Sequence, residues 1–322
     1  MNKKLLMKKA IYALITIFIV LVFNYFLFRI LPGDPLAMLL RNPKATPEMI
    51  EAAKQLFGLD KPWYTQFFDY IENMLTGDYG TSFFYKKPVS DVIAGRIMPT
   101  LIMVGFAEVL AIIIGILLGV IAAWKRGTRL DVGMLGFSLI TYSMPAFWLG
   151  MIMVVIFCVN LHLLPTSGML TPGATYANTF EFLVDYGRHL ILPSVTLGIC
   201  LVGEYALTMR NTLTDVLSED YITTAKAKGF SSGYILRKHA LPNAMLPMVT
   251  IIAINLGFVV GGTVQIEAIF SWPGLGSLMY DALRARDYPL LQGVFLLITV
   301  SVVLANFIAD IMYSYIDPRV KE

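Results

Sequence analysis

The sequence predicts an all-α integral membrane protein with six transmembrane helices and an external helical subdomain after the first. Three observations carry that prediction. The chain of 322 residues is 57% hydrophobic and only 15% charged, whereas soluble domains hold about 45–50% apolar and about 25% charged residues. Its mean hydropathy is +0.69, and apolar runs long enough to cross roughly 30 Å of hydrocarbon recur along the chain. Lysine and arginine, finally, cluster in alternate connections between those runs. A net charge of +3 is too small to point to nucleic acid.

The first run, 10–31, follows Lys3, Lys4, Lys8 and Lys9. It continues for too long, and ends in residues too bulky, to be a cleaved signal, so it reads as an uncleaved span. Region 32–99 reads as the external subdomain. "TPEMIEAAKQLFGLD" has Thr46 as N-cap, Pro47 at the first helical position and Gly58 as stop. "YTQFFDYIENMLTG" is a second amphipathic helix ending at Gly77, with Phe67, Phe68, Ile71 and Leu75 along one side. The core, 100–316, holds spans at 100–124, 132–160, 190–209, 244–266 and 291–316. The fourth is the least apolar, carrying Glu204 and several small residues, and Pro145 interrupts the third. A short tail, 317–322, closes the chain.

Orientation follows from the basic residues. Lys3 to Lys9, then Lys125, Arg126 and Arg129, then Arg210, Lys226, Lys228, Arg237 and Lys238, then Arg319 and Lys321 all fall on one side. The short loops opposite hold Arg188, Arg284 and Arg286. Both termini and the segment 211–243 are therefore expected in the cytoplasm.

That segment contains "SEDYITTAKAKGFSSGYILRKHALPNAMLP", a polar and basic stretch in an apolar chain. Ser218 can cap a short helix, Glu219 and Asp220 favour its positive end, Lys226 and Lys228 its negative end, and Gly229 supplies a left-handed stop. A second helix restarts from Ser231 or Ser232, and Pro242 opens the fifth span. Small side chains on the first helix let another surface approach closely. Two readings stand side by side: a loop lying on the lipid surface, or a docking element for a cytosolic partner.

"TAKAKG" followed by "LRKHALPNAMLP" resembles the EAA loop of ABC importer membrane subunits, with Thr224 where that motif commonly has Glu. "LPGDP" at 31–35, "GLDKP" at 58–62, "GDYGTSF" at 77–83, "SMPAFWLG" at 143–150, "FSWPGLG" at 270–276, "RDYPLLQG" at 286–293 and the tail "DPR" are similar, in the same order, to the oligopeptide, dipeptide and nickel permease branch. The chain looks like the first membrane subunit of the pair. The resemblance implies a type I ABC importer fold and a heterodimer with a second, homologous permease subunit. It also implies two cytosolic ATPase subunits that bind ATP and magnesium, and a substrate-binding protein outside a prokaryotic cell or inner membrane. This chain itself would carry no cofactor. A coupling helix formed by Tyr221, Thr224, Ala225, Lys226, Ala227, Lys228 and Gly229 would dock on an ATPase subunit. Oligopeptides or dipeptides are the first substrate class implied; metal chelates such as nickel, glutathione and oligosaccharides are alternatives.

Polar groups inside spans are pathway candidates, although they also join helices. Glu204 and Asn255 form the preferred pair, with Glu108 and Asn306 beside them. Gln265 is a weaker candidate, and Arg29, Glu267 and Asp310 lie near span ends. Trp272, Pro273, Gly274 and Gly276 form a tight turn that can gate the pathway or meet the binding protein, with Trp272 and Tyr280 suited to a membrane interface. Cys158 and Cys200 have no partner at metal or redox spacing, and neither HExxH nor GxSxG occurs. No phosphate-binding glycine loop is present, so the chain is not expected to be an enzyme. An ion-coupled secondary transporter is the rival from another class. It usually shows repeated halves, and no internal repeat is found here.

Overall fold

The computed structural model describes residues 3–30, 60–258 and 264–316, together with Thr46 and Glu51. The expected helix at 46–60 and the motifs "LPGDP" and "DPR" lie wholly or mostly outside them. The described residues are helical apart from loops and a single bridge between Thr81 and Pro88. The helices are α1 (Lys3–Ile30), α2 (Trp63–Thr76), α3 (Val89–Trp124), α4 (Arg129–Ser143), α5 (Ala146–Met153) and α6 (Thr179–Leu217). They continue as α7 (Asp220–Ala227), α8 (Ser232–Ile235), α9 (Leu241–Phe258), α10 (Val264–Ile269), α11 (Leu275–Ala285) and α12 (Tyr288–Ile316).

Leu6–Phe28, Val89–Trp124, Thr179–Leu217, Ser232–Leu256 and Tyr288–Ile308 are long and apolar enough to span a bilayer. A sixth span is reached only by joining α4 to α5 and its wide, π-type continuation Val154–Asn160, and that pair is bent by 101°. A straight span over 132–160 is therefore not observed. Met144 precedes proline and is pushed into extended backbone (φ −78°, ψ 127°). That conformation ends α4 and turns the chain.

The run at 190–209, the least apolar in sequence, extends into the longest helix, α6, and sits at the centre. Of its apolar window 61% is buried, against 17–33% for the other four. Ala107, Ala111, Gly115 and Gly119 repeat every four residues on α3 and so form one stripe. There α6 comes so close that a Cβ on Gly115 would lie 2.5 Å from Tyr205 Cβ, and one on Gly119 2.6 Å from Met209 Cβ. On another face of α6, a Cβ on Gly203 would meet the Ser138 carbonyl of α4 at 2.5 Å. Arg210 fastens the same helix pair lower down. Its Nε and Nη2 donate to Asp131 Oδ1 and Oδ2 at 2.7 and 3.0 Å, a two-pronged match of guanidinium to carboxylate.

At the opposite end α1 packs on α12, joined by Phe28, Leu290, Leu291 and Val294 in a cluster with Val89 and Ile93 of α3. The α2 helix ends at Gly77, as expected, in left-handed backbone (φ 81°). Its inner side differs from the expected one. Tyr70 and Met74 are buried, with Phe67 and Ile71 packed beside them, while Phe68 and Leu75 stay exposed.

Gly119→Ala is expected to destabilise the protein by about 1–3 kcal/mol through overpacking. Gly105→Ala, where a new Cβ meets nothing within 4 Å, should be neutral or slightly stabilising. Thermal unfolding of the two variants in the same detergent checks the contrast.

Candidate functional sites

The segment after α6 forms a compact knob. Ser218 does not cap α7 as expected: its hydroxyl donates back to the Asp215 carbonyl at 2.6 Å and helps close α6. Glu219 holds the N-cap position in extended backbone without a side-chain bond. The far end of α7 closes as the sequence requires. Gly229 has φ 81°, its N–H donates to Lys226 O at 2.9 Å, and Phe230 N–H donates to Ala225 O at 3.4 Å, a paired closure that needs a left-handed residue. Ser231 then caps α8 by accepting from Tyr234 N–H at 3.4 Å. The wide turns at Leu236–Ala240 lead directly into α9, where Pro242 would otherwise clash with the preceding turn.

Ala225 departs from the expected docking face. With Ile222, three residues earlier on the same side of α7, it is buried in the cluster that contains Leu213, Ile235 and Ala240. Its small size serves packing within the chain. Tyr221, Thr224, Lys226, Ala227, Lys228 and Gly229 remain exposed. The Tyr221 hydroxyl is fixed by Asn243, whose Nδ2 donates to it at 3.0 Å. Phe230 and Tyr234, which the sequence reading passed over, add an exposed aromatic pair with centroids 5.1 Å apart. Phe230 lies in the link between α7 and α8 and Tyr234 within the short α8, so no helical periodicity joined them.

Within the spans, three of the four pathway candidates come together. Tyr205 Oη donates to Glu108 Oε1 and accepts from Asn255 Nδ2 at 3.0 Å. Asn255 Nδ2 also lies 3.5 Å from Glu204 Oε2. Glu108 and Tyr205 are buried, while Glu204 and Asn255 are partly accessible. Tyr205 was missed in sequence because a span tyrosine reads as an apolar ring; its place beside Glu204 was the available signal. Asn306 is not part of this cluster and sits on an exposed side of α12. Gln265 is exposed, and the side chains of Arg29 and Asp310 lie outside the described residues.

The turn at Trp272, Pro273, Gly274 and Gly276 is a packed joint. Trp272 is fully buried, not interfacial, and its Nε1 donates to Pro99 O of α3 at 3.0 Å. Glu267, also buried, accepts from Thr100 Oγ1 at 2.9 Å and from Ser277 N–H at 2.8 Å. Its carboxylate thus satisfies the positive first turn of α11. Thr100 Oγ1 accepts from Leu275 N–H at 2.8 Å. A Cβ on Gly274 would strike Thr100 Oγ1 at 2.4 Å. Tyr280 is exposed beside Arg284. Two further motifs meet nearby: buried Asp287 of "RDYPLLQG" accepts from Ser82 Oγ at 2.5 Å and Phe84 N–H at 3.1 Å, next to "GDYGTSF".

A bundle of apolar spans around one protein-buried helix, with polar groups at mid-span and an ordered knob beyond it, defines a multi-span helical membrane permease. The chain belongs to the binding-protein-dependent transport system inner membrane components: that family matches residues 115–322. The N-terminal family of such membrane components matches residues 2–104. The glutathione transport system permease protein GsiC of Escherichia coli (strain K12) is 40% identical over 306 residues, covering 95% of each chain. GsiC of Shigella dysenteriae serotype 1 (strain Sd197) is equally similar. A chain of the methionine ABC transporter MetNI in an inward-facing conformation shares the fold, with a TM-score of 0.56 at 19% identity over 70% of this chain and 96% of that one. The protein is thus an inner-membrane importer permease with a type I ABC importer fold, a transport component and not an enzyme.

Tyr205→Phe removes the group that joins Glu108 to Asn255 and should cost about 1–3 kcal/mol by leaving buried polar atoms unpaired. Combined with Glu108→Gln, the loss should be clearly less than the sum of the two single changes. Unfolding of the four proteins in a double-mutant cycle measures it.

Proposed function

We propose that this permease couples ATP hydrolysis by cytosolic partner subunits to uptake of small peptides, glutathione among them. The observation that carries the proposal is the knob. Tyr221, Thr224, Lys226, Ala227 and Lys228 are presented on a helix whose other side, Ile222 and Ala225, is anchored in the chain's own core. A surface so held can transmit a push without yielding. Its lysines favour an acidic rim on the partner, contributing steering more than affinity. In this reading 211–243 is the cytoplasmic coupling loop. Both termini lie on its side, consistent with the basic residues gathered there. ATP and magnesium are bound by the ATPase subunits.

The proposed organisation is a cytoplasmic terminus and first span (1–31), an extracytoplasmic region (32–99), a permease core (100–316) and a cytoplasmic tail (317–322). A second, homologous permease completes a heterodimer, and an extracytoplasmic binding protein delivers substrate. The cluster of Glu108, Tyr205, Asn255 and Glu204 marks the pathway at mid-span, with Glu204 and Asn255 on its accessible side. The peptide class is supported by the 40% identity to permeases named for glutathione transport. Metal chelates and oligosaccharides are the alternatives that capture by the cognate binding protein would reveal.

Thr224→Arg alters the exposed face alone, whereas Ala225→Leu overfills the anchor. Thr224→Arg is expected to leave the thermal stability of the subunit unchanged while abolishing co-purification of the ATPase subunits and transport. Ala225→Leu should lower stability as well. Retention of the ATPase subunits and of full transport by Thr224→Arg would contradict the docking assignment.

A further inference from the structure

The α2 helix divides into three sectors at 3.6 residues per turn. Tyr70 and Met74, flanked by Phe67 and Ile71, face the protein. Glu72, Asn73 and Thr76 form an exposed polar side, joined by the half-buried Asp69, which pairs with Lys61 at 2.6 Å. Between these lies a third sector of Tyr64, Phe68 and Leu75, exposed at 53%, 68% and 73%. The apolar arc of the helix is therefore wider than the part the described residues cover.

The depth of α2 says what meets the remainder. Asn24 Nδ2 of α1 donates to Tyr70 Oη at 3.1 Å and to the Gln292 carbonyl at 3.2 Å. Tyr25 Oη donates to the Trp63 carbonyl at 2.7 Å, and Met74 packs in one cluster with Leu21 and Leu296. These partners belong to the hydrocarbon-length windows Leu6–Phe28 and Tyr288–Ile308. The helix thus lies beside the ends of two spans and not beyond them. Its uncovered sector also continues the apolar outer face of α1. Exposed Phe26 stacks on Phe67 at 6.2 Å, and Phe67 meets Phe68 edge-on at 5.7 Å.

From this geometry we infer that α2 is an in-plane membrane-interface helix whose Tyr64–Phe68–Leu75 sector is immersed in lipid. Its Asp69–Glu72 side faces water, and Trp63 and the hydroxyl tip of Tyr64 lie at headgroup level. A helix with one side on protein, one in lipid and one in water satisfies all three sectors at once; full immersion in water strands the second, and a span strands the third. The occupant is the bilayer itself. It braces the start of the segment that leads through Gly77 to the "GDYGTSF" loop.

The test uses the assembled importer in phosphatidylcholine–phosphatidylglycerol nanodiscs, with Cys158 and Cys200 replaced by alanine. A nitroxide is attached in turn at Phe68→Cys, Leu75→Cys and Glu72→Cys, and paramagnetic relaxation reads access to lipid-soluble oxygen and to a water-soluble nickel chelate. Labels at 68 and 75 should be open to oxygen and shielded from nickel, at roughly 5–10 Å into the headgroup–acyl boundary. The label at 72 should show the reverse. Shielding of 68 and 75 from both reagents would mean that protein covers the sector, and access to nickel would mean that water does; either result overturns the inference. Photocrosslinking from benzoylphenylalanine at position 68, with the native cysteines kept, decides the matter if the cysteine-free protein fails to assemble. It should yield a lipid adduct, and a protein adduct instead refutes the assignment.

Discussion

In lipid there is little hydrophobic gain from pressing two apolar helices together, so close van der Waals contact must hold them. The stripe of Ala107, Ala111, Gly115 and Gly119 on α3 provides it, and the consequences reach through the molecule. Because Gly115 receives Tyr205 Cβ, the tyrosine is held where its hydroxyl reaches Glu108, two turns earlier on α3, and Asn255 on α9. Because Gly119 receives Met209, the neighbouring Arg210 is placed against Asp131 at the start of α4. A larger side chain on the stripe would move both polar assemblies together.

The same packing extends into the knob. One buried cluster runs from Ala111 and Tyr205 through Met209 and Leu213 to Ile222 and Ala225, with Ala244 and Met248 of α9 closing its other side. The outer face of α7 is polar and small; its inner face is part of the membrane domain's core. Such a knob cannot tilt alone. A displacement there either carries α6 and α9 with it or opens a close-packed cluster, and interiors of that density deform little. The stiffness of the knob is therefore supplied by ordinary core residues, not by those on its exposed face.

Much of this was readable from local rules. Gly77 and Gly229 ended helices where their conformational freedom was needed, Ser231, one of the two serines offered, capped α8, and the long apolar runs other than 132–160 lie largely in helices long enough to cross a bilayer. The errors arose where tertiary contacts chose between locally equal options. Ser218 had a carbonyl behind it and an amide ahead, and closed the preceding helix. Ala225 looked like a surface for a partner because small size is equally suited to an interface and to a core; only the direction of its side chain separates them. Trp272 carried an interfacial residue's chemistry into full burial because a carbonyl at Pro99 lay within reach of its indole N–H. The mid-span cluster was legible for its charged and amide members, as hydrophobic surroundings make them conspicuous. The hydroxyl that joins them was hidden on an aromatic ring.

The turn after α10 bears on how such a permease can open. Glu267 is buried and anchored to Thr100 of α3 on one oxygen and to the first turn of α11 on the other. Trp272 ties the same turn to Pro99, and Gly274 leaves no room for sliding. Peeling α11 away from α3 would strand a buried carboxylate, at a cost above the roughly 1–3 kcal/mol of an ordinary unsatisfied group. Movement at this end of the bundle is therefore cheapest when α3, the turn and α11 travel as one body. Among the described residues, helical backbone hydrogen bonding is already interrupted at Met144–Pro145, where α4 and α5 meet at a bend of 101°, outside that packed joint.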